Sequence, residues 1–284
     1  MDDLETLLRV GAGFELSAVD PGSTPGFVAD EAGRGGGKKA GEKALAAAVP
    51  ELADRQERLF ANGRRDDARR VLLVLQAMDT AGKGGIVKHV VGSVDPQGVR
   101  IHAFKAPTDE ERAHDFLWRI RRELPAAGEL GVFDRSHYED VLIHRVRGFS
   151  TPEVIEQRYG LINDFEAELV AAGTTVVKVM LHLSPDEQKA RLAARLADPT
   201  KHWKYSPGDL EERAFWPAYQ EAYQLALTRT STEVAPWFVV PADRKWYARV
   251  AVQHLLIAAL RRLDQGWPAA DFDVALETAK LQAG

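Results

Sequence analysis

Val71 to Val90 reads VLLVLQAMDTAGKGGIVKHV: an apolar run, a short polar loop holding Gly-Lys-Gly-Gly, and the opening of a helix. A phosphate-binding loop is built in that order, because free amides at a helix mouth and a mobile lysine together receive an anion. The generic pattern is G-x-x-x-x-G-K-[ST]. Here Ala77 stands at the opening glycine, and Gly84 stands where a magnesium-binding hydroxyl belongs. The match is either chance or a loop that holds phosphate and metal by other groups. Gly82 permits a tight turn, the backbone at Ala81, Gly84 and Gly85 allows close approach of a phosphate, and Lys83 and Lys88 supply positive charge. Asp79 is the unusual residue. A carboxylate inside an anion-binding loop repels phosphate unless a cation lies between them, and magnesium favours a carboxylate or two together with phosphate oxygens. The plainer alternative makes Asp79 a turn residue with a local hydrogen bond.

Further along, GVFDRSHYED is an apolar run ending in Asp134, the Walker B arrangement that brings a carboxylate beside a phosphate loop. Asp79 and Asp134 could then share one metal site without the missing Ser or Thr. Arg135 follows at once and can pair with a phosphate. Alternatively, Asp134 caps the helix starting near Ser136 and Arg135 pairs with Glu139. A third cluster lies in ARLAARLADPTKHWKYSP, where Arg191 and Arg195 are four apart and so share a helical face. With Lys201, Lys204 and Trp203 they resemble a phosphate-clamping lid at about residues 196–210, or else serve only as partners of a helix C-terminus. Histidines are scattered without zinc-ligand spacing, and no G-x-S-x-G elbow is present. Trp216, Tyr219 and Tyr223 recur at helical spacing and read as core rather than as a base-stacking platform.

These residues need a frame. Val71–Ala77 is continuously apolar, as in a strand buried on both faces of a parallel sheet. VRIHAF, the run ending at Phe133, TTVVKVMLHL and APWFVVPA are four further β-rich runs, and helical patterns separate them. TDEERAHDFLWRIRREL reads as one strong helix, and TPEVIEQRYGLINDFEAELVAAG as an amphipathic helix capped by Thr151-Pro152. Between Glu42 and Asn62 the spacing is helical but interrupted by Pro50, giving either two pieces or one kinked helix. The alternation predicts an α/β layered fold with a mostly parallel five-stranded sheet. Ligands in such sheets sit beyond the carboxyl ends of the strands, where Asp79 and Asp134 fall. Residues 1–37 are expected to form an extended or loosely packed arm. In it, GRGGGKK follows no strand and reads as a solvated turn. Residues 38–284 are expected to form the catalytic domain.

Composition narrows the function classes. The chain has 284 residues, net charge −5 and no cysteine, so disulfide and thiolate chemistry are excluded. No secretory signal pattern and no apolar run of about 20 residues appears, which points to a cytoplasmic protein without membrane contact. Duplex nucleic-acid binders usually carry a basic footprint, and this chain does not. A local cationic groove remains compatible with the acidic total.

MDTAGKGGIVKHV, FDRSHYEDVL and DPTKHWKYSPGDLEER, in this order and spacing, resemble the polyphosphate kinase 2 family. The likeness runs from about Glu51 to Leu263 and takes in QGVRIHAFKAPT, HDFLWRI and VPADRKWYAR. It implies a P-loop kinase-like three-layer α/β sandwich with a helical lid. It also implies reversible, magnesium-dependent transfer of a terminal phosphoryl group between inorganic polyphosphate and nucleotides, with manganese as an alternative ion. By this likeness Asp79 and Asp134 are the essential acids, and Lys83, Arg135, Lys201 and Lys204 contact phosphates. RSHYEDVL is most similar to the subgroup acting on both AMP and ADP, and family membership implies a homo-oligomer. The rivals are an ATP-dependent nucleoside monophosphate kinase and a non-catalytic polyphosphate- or nucleotide-binding module.

Overall fold

The computed structural model describes residues 4–27 and 37–283. Five strands, β1 (Arg70–Ala77), β2 (Val99–Ala103), β3 (Leu130–Asp134), β4 (Thr174–His182) and β5 (Trp237–Pro241), form one sheet in the order β2-β3-β1-β4-β5. Every pairing is parallel, so the expected α/β fold is present and its sheet is wholly parallel. β1 is central, and the chain moves to β2 and β3 on one side of it before crossing to β4 and β5 on the other. The carboxyl ends of β1 and β3 therefore meet at a topological switch point, where a crevice opens for ligand.

The apolar run of β1 is continuous because both faces are covered. Val71, Leu73, Leu75 and Ala77 join one core cluster, while Leu72 and Val74 join the other, as the two-residue period of a strand requires. The first face packs on helices Lys38–Gly63 and Lys245–Leu263, the second on Pro152–Ala171 and Trp216–Thr230. Three layers result. Tyr219 and Tyr223 are buried in the second cluster, the core position that their spacing predicts. The Lys38–Gly63 helix runs through Pro50 as a single element.

Two expectations are corrected. The arm is not loose over residues 4–27: Leu4, Leu8, Val10 and Leu16 are buried, each burial contributing roughly 1.5–3 kcal/mol. Val10 donates its amide to Trp237 O at 2.9 Å, and Arg9 bridges Phe238 in antiparallel sense, so this segment covers the β5 edge. Gln224 fixes it further, accepting from Leu16 N and donating to Phe14 O. Residues 33–36 of GRGGGKK lie outside the described residues. The single helix expected over TDEERAHDFLWRIRREL is two short ones, Asp109–Arg112 and Trp118–Arg122. A capping box between Thr108 and Glu111 starts the first, and Asp115 then takes the Leu117 amide at 3.0 Å in a local turn that breaks the helix.

Candidate active site

The loop after β1 turns sharply by means of two left-handed residues, Thr80 at φ 69° and Gly82 at φ 121°. The second value is one that a side chain strongly disfavours, which explains glycine there. Ala81 N donates to Met78 O, and the amides of Gly85 and Ile86 both donate to Gly82 O, starting the helix Lys83–His89. The amides of Gly82, Lys83 and Gly84 have no acceptor among the described residues. They are therefore the donors available to an anion, whereas the Gly85 amide is taken. Gly84 has nothing within 4 Å of a would-be Cβ and faces open space, so packing does not require a glycine there.

β1 and β3 pair Leu75 with Asp134, which sets Asp134 at the strand end beside the loop. Lys83 is buried and its Nζ lies 3.8 Å from Asp134. Arg135 continues the ladder by donating its amide to Leu75 O, yet holds φ 66°. That strained conformation sends its side chain across to Asp79 at 2.8 Å, with Glu139 at 4.0 Å. Burial works against the Arg135 charge, but Glu139 and Asp79 outweigh it and keep the group firmly cationic. Burial likewise pushes the Glu139 carboxyl up, against the pull of Arg135 and Lys83. Asp134 does not cap a helix: Ser136 takes that role, accepting from Tyr138 N. The alternative reading of Arg135, a pairing with Glu139, is present, and the side chain also reaches Asp79 of the loop.

Behind this strand end lies a buried ionic cluster. Lys178 of β4 donates to Glu166 at 2.5 Å, to Tyr138 Oη at 3.0 Å and to Thr230 O at 2.7 Å, while Tyr138 Oη donates to Glu166 at 2.8 Å. His137 Nε2 reaches the same carboxylate at 3.2 Å. The turn carrying Arg135 is thereby tied to three neighbouring elements.

The basic cluster divides in a way that its spacing did not reveal. Arg191 is buried and uses all five N–H groups: Nε to Glu187, Nη1 to Thr80 O and Ala81 O, Nη2 to Ala242 O and Asp243 O. The expectation that Arg191 contacts phosphate is corrected accordingly, because no donor remains for one. Arg195 Nη1 holds Lys204 O at 2.9 Å and Asp209 at 3.2 Å, pinning the segment that follows. That segment, the 3-10 helix Pro199–Lys204 and the helix Pro207–Glu212, is exposed; Lys201 pairs with Asp198 three residues before it, and Lys204 lies 4.8 Å above the Trp203 ring.

These pieces line one groove of about 1390 Å³. Its lining holds ten Lys and Arg residues against four Asp and Glu, in a chain whose net charge is −5. All the sequence-predicted residues line it: Asp79, Ala81 to Gly85, Lys88, Asp134, Arg135, Arg191, Arg195, Lys201 and Lys204. Sequence reasoning missed Lys105, His89, Lys245 and Arg249, which also line the groove. The last two are four apart at the start of the final long helix, a same-face spacing that was the available signal. Burial and the charge of Arg191 hold the Lys245 ammonium below its ordinary value, and burial with Arg249 and Lys88 does the same to His89. Cations crowded this way, with few counter-charges, make an anion site.

No group of three or more His, Cys, Asp or Glu that could hold a metal occurs among the described residues. The acids present, Asp79 and Asp134, suit an ion completed by substrate phosphate and water, as magnesium prefers, and not a closed protein cage. No helix among the described residues is long and apolar enough to cross a membrane.

Comparison with known proteins identifies a family. The family described as Polyphosphate kinase 2 matches residues 36–266. The chain is 46% identical over 255 residues to the AMP/ADP-polyphosphate phosphotransferase of Meiothermus ruber, covering 90% of this chain and 91% of that protein. It is 42% identical over 236 residues to the ADP-polyphosphate phosphotransferase of Rhodopseudomonas palustris, covering 78% and 79%. The crystal structure of polyphosphate kinase 2 from Arthrobacter aurescens superposes with TM-score 0.95 at 60% identity, over 99% of this chain and 97% of that one.

Proposed function

The chain belongs to the polyphosphate kinase 2 family, and from that premise we propose how its residues divide the work. It is a polyphosphate-dependent nucleotide phosphotransferase, moving a terminal phosphoryl group reversibly between inorganic polyphosphate and a nucleotide. ADP and AMP are the acceptors we assign, on the motif RSHYEDVL and on the likeness to a relative that is named for both. The observation that carries the reading is the cation-rich groove with Asp79 and Asp134 at the mouth of its phosphate loop.

Phosphoryl transfer asks the protein for positioning and charge neutralisation more than for covalent chemistry. The free amides of Gly82, Lys83 and Gly84 bind non-bridging phosphate oxygens, and Lys83 adds a full charge beside them. Arg135 and Lys83 neutralise Asp79 and Asp134 until substrate arrives, then turn toward the transferring group as its negative charge redistributes. Lys201 and Lys204 clamp the polyphosphate from the exposed wall, and Arg195 keeps that wall in place. No general base is needed, because a nucleotide phosphate is already ionised near neutral pH. Asp79 and Asp134 would hold magnesium or manganese, which would draw charge from the phosphate oxygens.

The test is direct. Wild-type protein with ADP, polyphosphate and magnesium but no ATP should yield ATP, which an ATP-dependent monophosphate kinase cannot do. Asp79→Asn and Asp134→Asn should each lower the rate by about 100-fold or more with unchanged circular dichroism. Near-wild-type turnover in either variant sinks the assignment, and tight polyphosphate binding without transfer to any nucleotide would favour the binding module. We include self-association in this reading, supported by exposed Trp267, Phe272, Val274, Leu276 and Leu281 near the C-terminal end. Sedimentation of wild-type and Leu281→Glu protein tests it.

A further inference from the structure

Three successive carbonyls of the phosphate loop are gripped from one side by one helix, Pro185–Ala197. Gln188 Nε2 donates to Asp79 O at 3.0 Å, and Arg191 Nη1 donates to Thr80 O at 3.0 Å and to Ala81 O at 2.7 Å. The two side chains are three apart and share a helical face. In a planar trans peptide, the carbonyl of one residue and the amide of the next point in opposite directions. Holding Asp79 O, Thr80 O and Ala81 O on the helix side therefore fixes where the amides of Thr80, Ala81 and Gly82 point, and the Gly82 amide is one of those left free for an anion.

Gln188 differs from Arg191 in one respect. It is 1% exposed and does not line the groove, so it touches no substrate. Its Oε1 accepts from Arg213 Nη1 at 2.7 Å, and Arg213 also donates to Pro185 O. An arginine can only donate, so the amide must present oxygen to Arg213 and nitrogen to Asp79 O, which fixes its orientation from both ends. Arg213 directly follows the Pro207–Glu212 helix, whose Asp209 lines the groove wall. Two hydrogen bonds, Arg213 to Gln188 and Gln188 to Asp79 O, thus join the residue that ends this helix to the peptide of Asp79.

We propose that Gln188 is a positioning residue for phosphoryl transfer, setting the Asp79 peptide through its side-chain amide, and that Arg213 sets Gln188. This rests on the reading that Asp79 serves the reaction. Gln188→Glu keeps the acceptor for Arg213 and removes the donor to Asp79 O, whereas Gln188→Met removes both. Each variant, with Arg213→Ala and the Gln188→Met/Arg213→Ala double variant, is assayed for kcat, for KM with polyphosphate and for Tm. Hydrogen exchange of residues 79–86 is followed without substrate.

Gln188→Glu should keep a near-wild-type Tm, lose about 10-fold or more in kcat, and shift KM for polyphosphate by less than about 3-fold. Exchange at Gly85 and Ile86 should quicken in every variant. The double variant should be no slower than Gln188→Met alone, since both act on one path. Losses in kcat that merely follow losses in Tm, unchanged loop exchange, or additive effects in the double variant would each overturn the proposal. If wild-type protein made no ATP from polyphosphate, the functional reading would fail while the exchange measurements still decided whether Gln188 sets the loop.

Discussion

Two single residues carry strict demands, one in the site and one in the fold. Gly82 holds φ 121°, where nothing but strain opposes a methyl group, since the nearest atom to a would-be Cβ is 3.9 Å away. Gly82→Ala should therefore fold, cost about 1–3 kcal/mol by urea unfolding, and lose phosphoryl transfer out of proportion to that cost. His144 is the residue to watch in acid. Its Nδ1 faces Arg158 at 3.2 Å, and burial, with Arg158 and Arg119, holds the imidazole down to about 4 from its ordinary 6.5. The unfolded chain therefore takes up this proton first. The stability involved is complete above about pH 6.5 and is lost as pH falls toward about 4, in total about 3 kcal/mol. The urea midpoint should drop between pH 7 and pH 5, and His144→Gln should flatten that drop.

Among the elements, β4 shows most clearly what the sequence could and could not disclose. TTVVKVMLHL announces a buried strand, and the strand is buried, but its Lys178 is 0% exposed and the run gives no hint of a partner. That partner, Glu166, sits on the Pro152–Ala171 helix, and only the fold brings them together. Lys178→Met leaves the Glu166 charge buried without its cation and should cost about 3–5 kcal/mol in urea unfolding. Adding Glu166→Gln should recover part of that loss, the signature of a shared network. The positions of Asp79 and Asp134, the acids proposed to serve the reaction, were legible because strand-end position and residue type are both local signals. Arg191 was misread for the opposite reason. Its spacing declared a cationic face, but whether a guanidinium meets a phosphate or five protein acceptors depends on residues 80, 81, 242 and 243, far away along the chain. The same distance hid Lys105, Lys245 and Arg249. The arm, judged by its glycines, concealed four core residues ahead of them.

For the molecule as a whole, charge is unevenly placed: an acidic exterior surrounds one cationic groove. Polyphosphate should therefore be drawn in by a field that salt weakens. Raising ionic strength from about 0.05 M to about 0.3 M should increase KM for polyphosphate several-fold while kcat changes little, as steady-state kinetics at fixed free magnesium would show. The seated arm has a consequence of another kind, in the order of synthesis. Val10 and Leu16 are held by Trp237 and Gln224, and Tyr247 holds Pro25. The ribosome makes the arm more than two hundred residues ahead of the surface that receives it. During all that time its leucines are uncovered and β5 does not exist, so the nascent chain carries sticky surface that only its last third can hide. A segment made early is among the last to find its place, and heterologous production should depend more on chaperone supply and slow, cool expression than the finished fold suggests.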